Sequence, residues 1–163
     1  MPDPLIRPAT EADIPAVREI AELAWTPIYH EFRRRLGDEL FDLTRPRGVK
    51  AKPDEVERLF REHPDCMLVT ELEGRVVAFA TFFVVDRAAG IGEIGNNAVH
   101  PDFQGRGLGR AQYERIFEEL RRLGCHYVRV STGLDDSHAP ARRAYEAVGF
   151  DRELPTITYY REL

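Results

Sequence analysis

The chain has 163 residues, with 23 basic and 28 acidic side chains for a formal net charge of -5, and is 43% hydrophobic. That length fits one domain over residues 1–163, large enough to bury roughly two-thirds of its unfolded surface without disulfides or a structural metal. The acidic balance excludes a general polyanion binder, so no nucleic-acid partner is expected. Cys66 and Cys125 form neither a CxxC nor a Cys/His ligand spacing, which excludes a disulfide framework and leaves no metal site to expect. The opening MPDPLIRPATEAD lacks the basic and apolar regions of a signal peptide, and no run approaches the ~18 apolar residues of a membrane span, so a cytoplasmic protein is expected.

In chain order, Leu5–Arg7 reads as a short strand. Thr10 then opens a helix as N-cap, with Asp13 in the capping-box position and Ile14, Val17, Ala21, Ala24 and Trp25 on one face. Pro27 is expected to interrupt that helix, with a second helical stretch from Ile28 to about Leu40. Thr44–Pro53 reads as a basic connector, and Asp54 as the cap of a short helix carrying Val56, Leu59 and Phe60. Met67–Leu72 and Arg75–Val85 are β-rich runs joined at Glu73-Gly74, a tight hairpin signal, and Ile91–Val99 extends the meander. Gly107–Leu123 is an amphipathic helix with Tyr113, Ile116, Phe117, Leu120 and Leu123 on one face, ended by Gly124. A strand at His126–Ser131, a helix at Pro140–Val148 ended by Gly149, and a last strand near Thr156–Tyr160 follow. The expected fold is α/β (α+β): a mixed, mostly antiparallel central sheet of six to seven strands flanked by about four helices.

The segment from Val99 to Gly109, VHPDFQGRGLG, carries the sharpest chemical signal. Three glycines in five residues lie between a strand and a helix start, where backbone N–H groups and the positive end of the helix dipole favour an anion such as pyrophosphate. Arg106 and Arg110 add charge, and no acid lies between Gln104 and Gln112. The helix lacks the Gly-Lys-Ser/Thr of a Walker A loop. It also places Arg110 where a dinucleotide fingerprint needs glycine, and the following strand has no acid.

With these residues the chain resembles the GNAT superfamily of acyl-CoA-dependent N-acetyltransferases. Gln104-Gly-Arg-Gly-Leu-Gly109 matches that family's Q/R-x-x-G-x-G/A loop, Ala98-Val99-His100-Pro101 matches the strand end before it, and Ala141 to Phe150 matches A-x-x-x-Y-x-x-x-G-F. The resemblance covers nearly the whole chain, from Leu5 to Tyr160. It implies that backbone groups of Gln104, Gly105, Arg106, Gly107, Leu108 and Gly109, with Arg110, hold the pyrophosphate of acetyl-CoA. Ala98 and Val99 would pair with its pantetheine arm, and the Val99 N–H would face the thioester carbonyl and stabilise the oxyanion. Tyr145 stands where the family often places the acid that protonates the departing thiolate; a buried core tyrosine is the alternative. His138 replaces the asparagine usual three residues before the motif alanine, where a hydrogen bond to the cofactor is implied.

Family members use a glutamate at the position of Glu93, directly or through water, to deprotonate the amine; pairing of Glu93 with an arginine is the alternative. Period-two alternation puts Glu93 on one strand face with Gly95, Asn97 and Val99. His100 and His138 are substitute bases by intrinsic pKa. Trp25, Tyr29 and Asn97 are expected to line the acceptor pocket, with helix-corner packing the alternative for the two aromatics. Asp135 and Asp136 are placed to attract a cation. The resulting expectation is transfer of acetyl from acetyl-CoA to a primary amine of a small molecule, in a direct ternary complex and without metal. A protein or peptide acceptor, and a silent acyl-CoA-binding module, are the alternatives. The β-rich C-terminus permits a monomer or a homodimer. The stretch Gln104–Gln112 carries +2, which leaves -7 on the rest of the chain, and that residual acidity suits a cationic acceptor.

Overall fold

Residues 3–163 are described in a computed structural model of the chain. Strand β1 (Leu5–Pro8) leads through a 3-10 turn at Glu11–Asp13 into α1 (Ile14–Leu36), followed by α2 (Asp38–Thr44) and α3 (Ala51–Glu62). Strands β2 (Met67–Leu72), β3 (Arg75–Asp86) and β4 (Ile91–Val99) precede α4 (Leu108–Arg122), β5 (Tyr127–Val130) and α5 (Ala139–Ala147). The five strands form one sheet in the order β1-β2-β3-β4-β5, antiparallel except for the parallel β4–β5 pair that the α4 crossover makes possible. One core of Ile14, Val17, Ile20, Val56, Phe60, Val69, Phe79 and Ala98 lies under α1 and α3. The other, with Leu68, Phe82, Ile94, Tyr113, Ile116 and Leu120, lies under α4, and α5 joins it through Ala144 and Tyr145, with Val148 just after the helix. Among the described residues no helix is long and apolar enough to cross a membrane.

Several local expectations hold for the stated reasons. Glu73 (φ 53°) and Gly74 (φ 77°) make a two-residue turn of the type that matches strand twist, closing Leu72 onto Arg75. The Thr10–Asp13 capping box forms, although it caps the 3-10 turn that precedes α1.

Others are corrected. Pro27 does not break the first helix, which runs unbroken from Ile14 to Leu36; the Thr26 hydroxyl bonds the Glu22 carbonyl, and aromatic packing further along outweighs the missing donor. Its end is set by Gly37 (φ 76°), so the helical stretch expected to reach Leu40 is two helices. The third helix starts at Ala51, inside the expected connector, and Asp54 is bound by Arg18 and Arg47 instead of capping it. Among the described residues the sheet has five strands, where six to seven were expected. The segment Thr156–Tyr160 has strand-like composition but lies exposed and unpaired, and a strand exists only where a neighbour accepts its hydrogen bonds. Among the described residues four helices have nine or more residues, in line with the expected number, and α2 adds a shorter fifth.

Candidate active site

Two features of β4 build the site. The first is a splay: β4 pairs with β5 only from Ile91↔Tyr127 to Ile94↔Val130, so residues 95–99 have no β5 partner. The His100 N–H donates to the Val77 carbonyl, and strand alternation therefore turns the amides of Asn97 and Val99 away from β3 into the opening. The second is a bulge: the register steps from Ala80↔Asn97 to Phe82↔Ile94, three residues of β4 against two of β3, with the Asn96 N–H donating to Thr81 Oγ1 (2.7 Å).

The bulge resets which side chains face which layer. Before it, Gly92 and Ile94 face α4; after it, Asn97 and Val99 do, while Asn96 and Ala98 face α1 and α3. Glu93 therefore does not share a face with Asn97 and Val99, as unbroken alternation would have it. It lies on the α1/α3 side, where its carboxylate accepts from Arg129 of β5, the residue directly opposite in the ladder.

On the α4 side, Asn97 Nδ2 donates to Gln112 Oε1 (3.1 Å), so Asn97 is turned away from Trp25 and Tyr29, with which it was grouped as an acceptor contact. Gln112 is fully buried and its Nε2 has no partner. Gly109 lies against this pair: a Cβ there would stand 3.8 Å from Val99 and 3.9 Å from Asn97 Oδ1. The preceding loop supplies the donors. Gly105 (φ 74°) and Gly107 (φ 77°) hold left-handed conformations that side-chain-bearing residues avoid, and α4 starts immediately after. Its first intrahelical acceptor is used by Ala111, which leaves the N–H groups of Leu108, Gly109 and Arg110 as the orphan donors of the helix start.

Gln104 departs from expectation. Its N–H is taken by the Pro101 carbonyl (3.3 Å), and its side chain instead donates to the Val99 carbonyl (3.1 Å), tying the loop to the open strand end. Arg106 lies over the Phe103 ring (5.0 Å) and reaches the Asp102 carbonyl, and Arg110 pairs with Glu114 (3.2 Å). Both are exposed on the loop's outer side, where such weak contacts are readily exchanged for an anion. His100 is buried, with Nδ1 accepting from the Asp102 N–H and Nε2 3.5 Å from Arg75; it organises the turn and is occupied at both nitrogens.

Tyr145 packs against Tyr113 (centroids 5.6 Å) and Phe150 (5.8 Å). Burial pushes its phenol above the ordinary value, and the Tyr113 hydroxyl draws it partly back. Tyr113 itself is driven further up, by burial first and by Tyr145 second.

On the opposite side, Trp25, Tyr29 and Phe32 form a row along α1. Lys52 Nζ lies 4.9 Å from the Trp25 ring and donates to Asn96 Oδ1 (3.3 Å), anchoring the row to β4. Tyr29 meets Phe32 (6.0 Å) and the Phe41 edge (6.3 Å), and Phe32 stacks on His138 (6.0 Å, 29°). Burial raises the Tyr29 phenol, with the Glu55 carboxylate adding to the rise. His138 is thus placed against α1, with Nδ1 2.7 Å from Asp135. Gln112, Lys52 and Phe32 were missed from the sequence; Gln112 alone left a signal there, a polar residue on the apolar face of a helix. A cavity of about 380 Å³ between the end of α4, the start of β5 and the segment after α5 is lined by Phe117, Cys125, Tyr127 and Phe150 and by none of these site residues.

A bulged, splayed strand thus faces a glycine-rich helix start, and unpaired backbone N–H groups line both. The chain belongs to the acetyltransferase (GNAT) family, whose family model matches residues 17–150. It is 36% identical over 88 residues to the ribosomal protein bS18-alanine N-acetyltransferase of Escherichia coli (strain K12), covering 53% of this chain and 55% of that one. It is 33% identical over 86 residues to the L-methionine sulfoximine/L-methionine sulfone acetyltransferase of Salmonella typhimurium, covering 52% and 49%. The match thus spans about half the length of these curated relatives. In fold it is similar to the PaiA N-acetyltransferase of Thermoplasma acidophilum in complex with coenzyme A, with a TM-score of 0.71 at 14% identity over 93% of this chain and 91% of that one.

Proposed function

We propose that this chain transfers an acetyl group from acetyl-CoA to a primary amine of a small molecule, in a direct ternary complex and as a single domain. The observation that carries the reading is the opening between β4 and β5, bordered on one side by the orphan donors at 105–110 and on the other by the aromatic row of α1. Acetyl-CoA supplies an activated acetyl thioester. Its pyrophosphate fits the N–H groups of Gly105 to Arg110, with Arg106 and Arg110 free to swing inward. The amides of Asn97 and Val99 offer a strand edge for an extended arm beside Ala98, as in β-augmentation.

Within this reading the Val99 N–H is the donor to the thioester oxygen, a position whose loss typically costs ~10²–10³ in rate. Tyr145, kept protonated by burial, is the proton donor to sulfur. Glu93 and His138 are the two candidate proton acceptors, the first already held by Arg129. Trp25 and Tyr29 bound the acceptor pocket. The Phe32–His138 stack ties α1 to the segment after β5 and closes one end of the row, which favours a compact amine. A peptide N-terminus is the second reading, favoured by the similarity to an enzyme named for a ribosomal protein alanine.

A panel assay decides between them. Thiol release from acetyl-CoA is followed with small primary amines and with alanine-terminated peptides. We expect release with an aromatic or aliphatic small amine to exceed release with any peptide. Peptide-only release would replace the small-molecule reading, and none with either would leave an acyl-CoA-binding module.

A further inference from the structure

The loop between β5 and α5 holds a polar side-chain arrangement separate from the N–H groups at 105–110. Asp135 Oδ2 is 2.7 Å from His138 Nδ1, and Asp135 Oδ1 accepts from both the backbone N–H and the hydroxyl of Ser137. Both members are largely shielded, at 15% side-chain exposure for His138 and 9% for Asp135. Burial works to raise the Asp135 carboxyl, but the hydrogen bonds from Ser137 and His138 outweigh it and hold it below the usual carboxylate range. The loop is clamped from outside, because Arg142 donates to the Gly133 carbonyl (2.6 Å) and the Asp135 carbonyl (2.8 Å).

Gly133 makes room for the pair. A Cβ at that position would stand 2.5 Å from Asp135 Oδ2 and 2.5 Å from His138 Nδ1, so no larger residue fits without displacing one of them. The requirement is steric, since Gly133 does not hold a positive φ. The imidazole stacks on Phe32 and so joins the end of the row that runs from Asn96 through Lys52, Trp25 and Tyr29. Among the described residues no hydrogen bond engages Nε2.

We propose that His138, oriented by Asp135, is the proton acceptor for the amine, and that Asp135 and Gly133 are positioning residues for it. This rests on the acetyltransferase reading above. With Nδ1–H donated to Asp135, the lone pair of Nε2 is left free for an ammonium arriving along the aromatic row, and the Asp135 carboxylate stabilises the imidazolium that forms. The protons and electrons balance. One ammonium proton passes to Nε2, the nitrogen lone pair forms the C–N bond as the C=O π pair moves onto oxygen at the Val99 N–H, and that pair returns as the C–S bond breaks with its electron pair on sulfur. Sulfur takes the Tyr145 hydroxyl proton, the phenolate takes the remaining surplus proton from nitrogen, and Nε2 later returns its proton to water. Charged groups near this loop include Arg142, which binds its carbonyls, Arg45, whose guanidinium lies 4.7 Å from the Phe32 ring, and Arg34 and Asp136, whose charges act on each other. Among the described residues no arginine is hydrogen-bonded to the ring nitrogens. Glu93, in contrast, already has a guanidinium on its carboxylate.

Two measurements on the full chain test this. Histidine ¹⁵N spectra report the tautomer without turnover. We expect His138 as Nδ1–H with Nε2 bare, and a mixture in Asp135→Asn and Gly133→Ala. An Nε2–H tautomer in the unmodified protein overturns the proposal. Steady-state rates are then read with acetyl-CoA and the panel amine that releases thiol fastest. His138→Gln should lower kcat about 100-fold with the KM for acetyl-CoA unchanged. A raised KM for acetyl-CoA with kcat intact makes His138 a cofactor contact and overturns it. So does a comparable loss of kcat in Glu93→Gln while His138→Gln retains it. If the unmodified protein releases no thiol with any amine, the acetyltransferase reading fails, and the tautomer still decides whether the dyad is built as described.

Discussion

In the proposed reaction Tyr145 would serve packing and chemistry at once. Its ring fills space between Tyr113 and Phe150, and the same burial keeps its hydroxyl protonated through the neutral range. A core tyrosine and a proton donor are therefore not alternatives here, although the sequence alone sets them against each other. Tyr145→Phe keeps the ring and removes the donor. We expect kcat to fall about tenfold or more, within the range of acid–base assistance, while acetyl-CoA affinity changes little. A calorimetric Kd beside the turnover number separates the two, and unchanged turnover removes Tyr145 from the reaction. Individual residues also mark what alternation cannot show. Glu93 and Asn97 change sides relative to each other because one extra residue enters β4 at Gly95-Asn96, and that bulge depends on the Thr81 hydroxyl of another strand.

At the scale of elements, hairpin, crossover and glycine-rich helix start were legible because each is fixed by local chemistry. Glu73-Gly74 sets the turn, Gly107 and the apolar face of α4 set the helix, and Thr10 with Asp13 sets the entry to α1. What was not legible depends on distant partners. The continuity of α1 through Pro27 needs its packing surface, and the unpaired Thr156–Tyr160 segment needs a strand that β5 does not meet there. The dyad of Asp135 and His138 was visible only as two separate possibilities, since the clearance at Gly133 is a property of the folded loop.

The junction of β1, β2 and the first helix makes a separate prediction. Arg7 bonds Asp13 in two places (2.7 and 2.9 Å) and also reaches Glu71. Its guanidinium is the leading cause that lowers the buried Asp13 carboxyl to about 2, against the opposing effect of burial, and the Thr10 backbone and hydroxyl assist. A depressed carboxylate stabilises the fold above its unfolded value near 4 and loses that contribution as pH falls towards 2, a difference on the order of 2 kcal/mol. Asp13→Asn should lower unfolding free energy by about that amount at pH 7 and by much less near pH 2. Denaturant titrations at the two pH values measure it, and an equal loss at both would assign the effect to packing.

Across the whole molecule, two cores on either side of one sheet hold β4 at the point where its partner strand leaves it. The α1/α3 layer carries the aromatic row and the α4/α5 layer carries the loop donors and Tyr145, so the two substrates of a transfer reaction would approach one strand edge from opposite faces. In this reading an acidic chain with a local +2 at Gln104–Gln112 would hold one anion without a basic surface. Because a ligand that binds only the folded state stabilises it by RT ln(1 + [L]/Kd), acetyl-CoA at 100 times its Kd should add about 2.7 kcal/mol. The most direct measurement is the unfolding midpoint of the full chain with acetyl-CoA and with acetyl-pantetheine, which has the arm and thioester without the pyrophosphate. A rise in Tm with acetyl-CoA, and a much smaller one with acetyl-pantetheine at the same concentration, is the predicted result. No rise with millimolar acetyl-CoA, or equal rises with both, would contradict the assignment of residues 105–110 to the pyrophosphate.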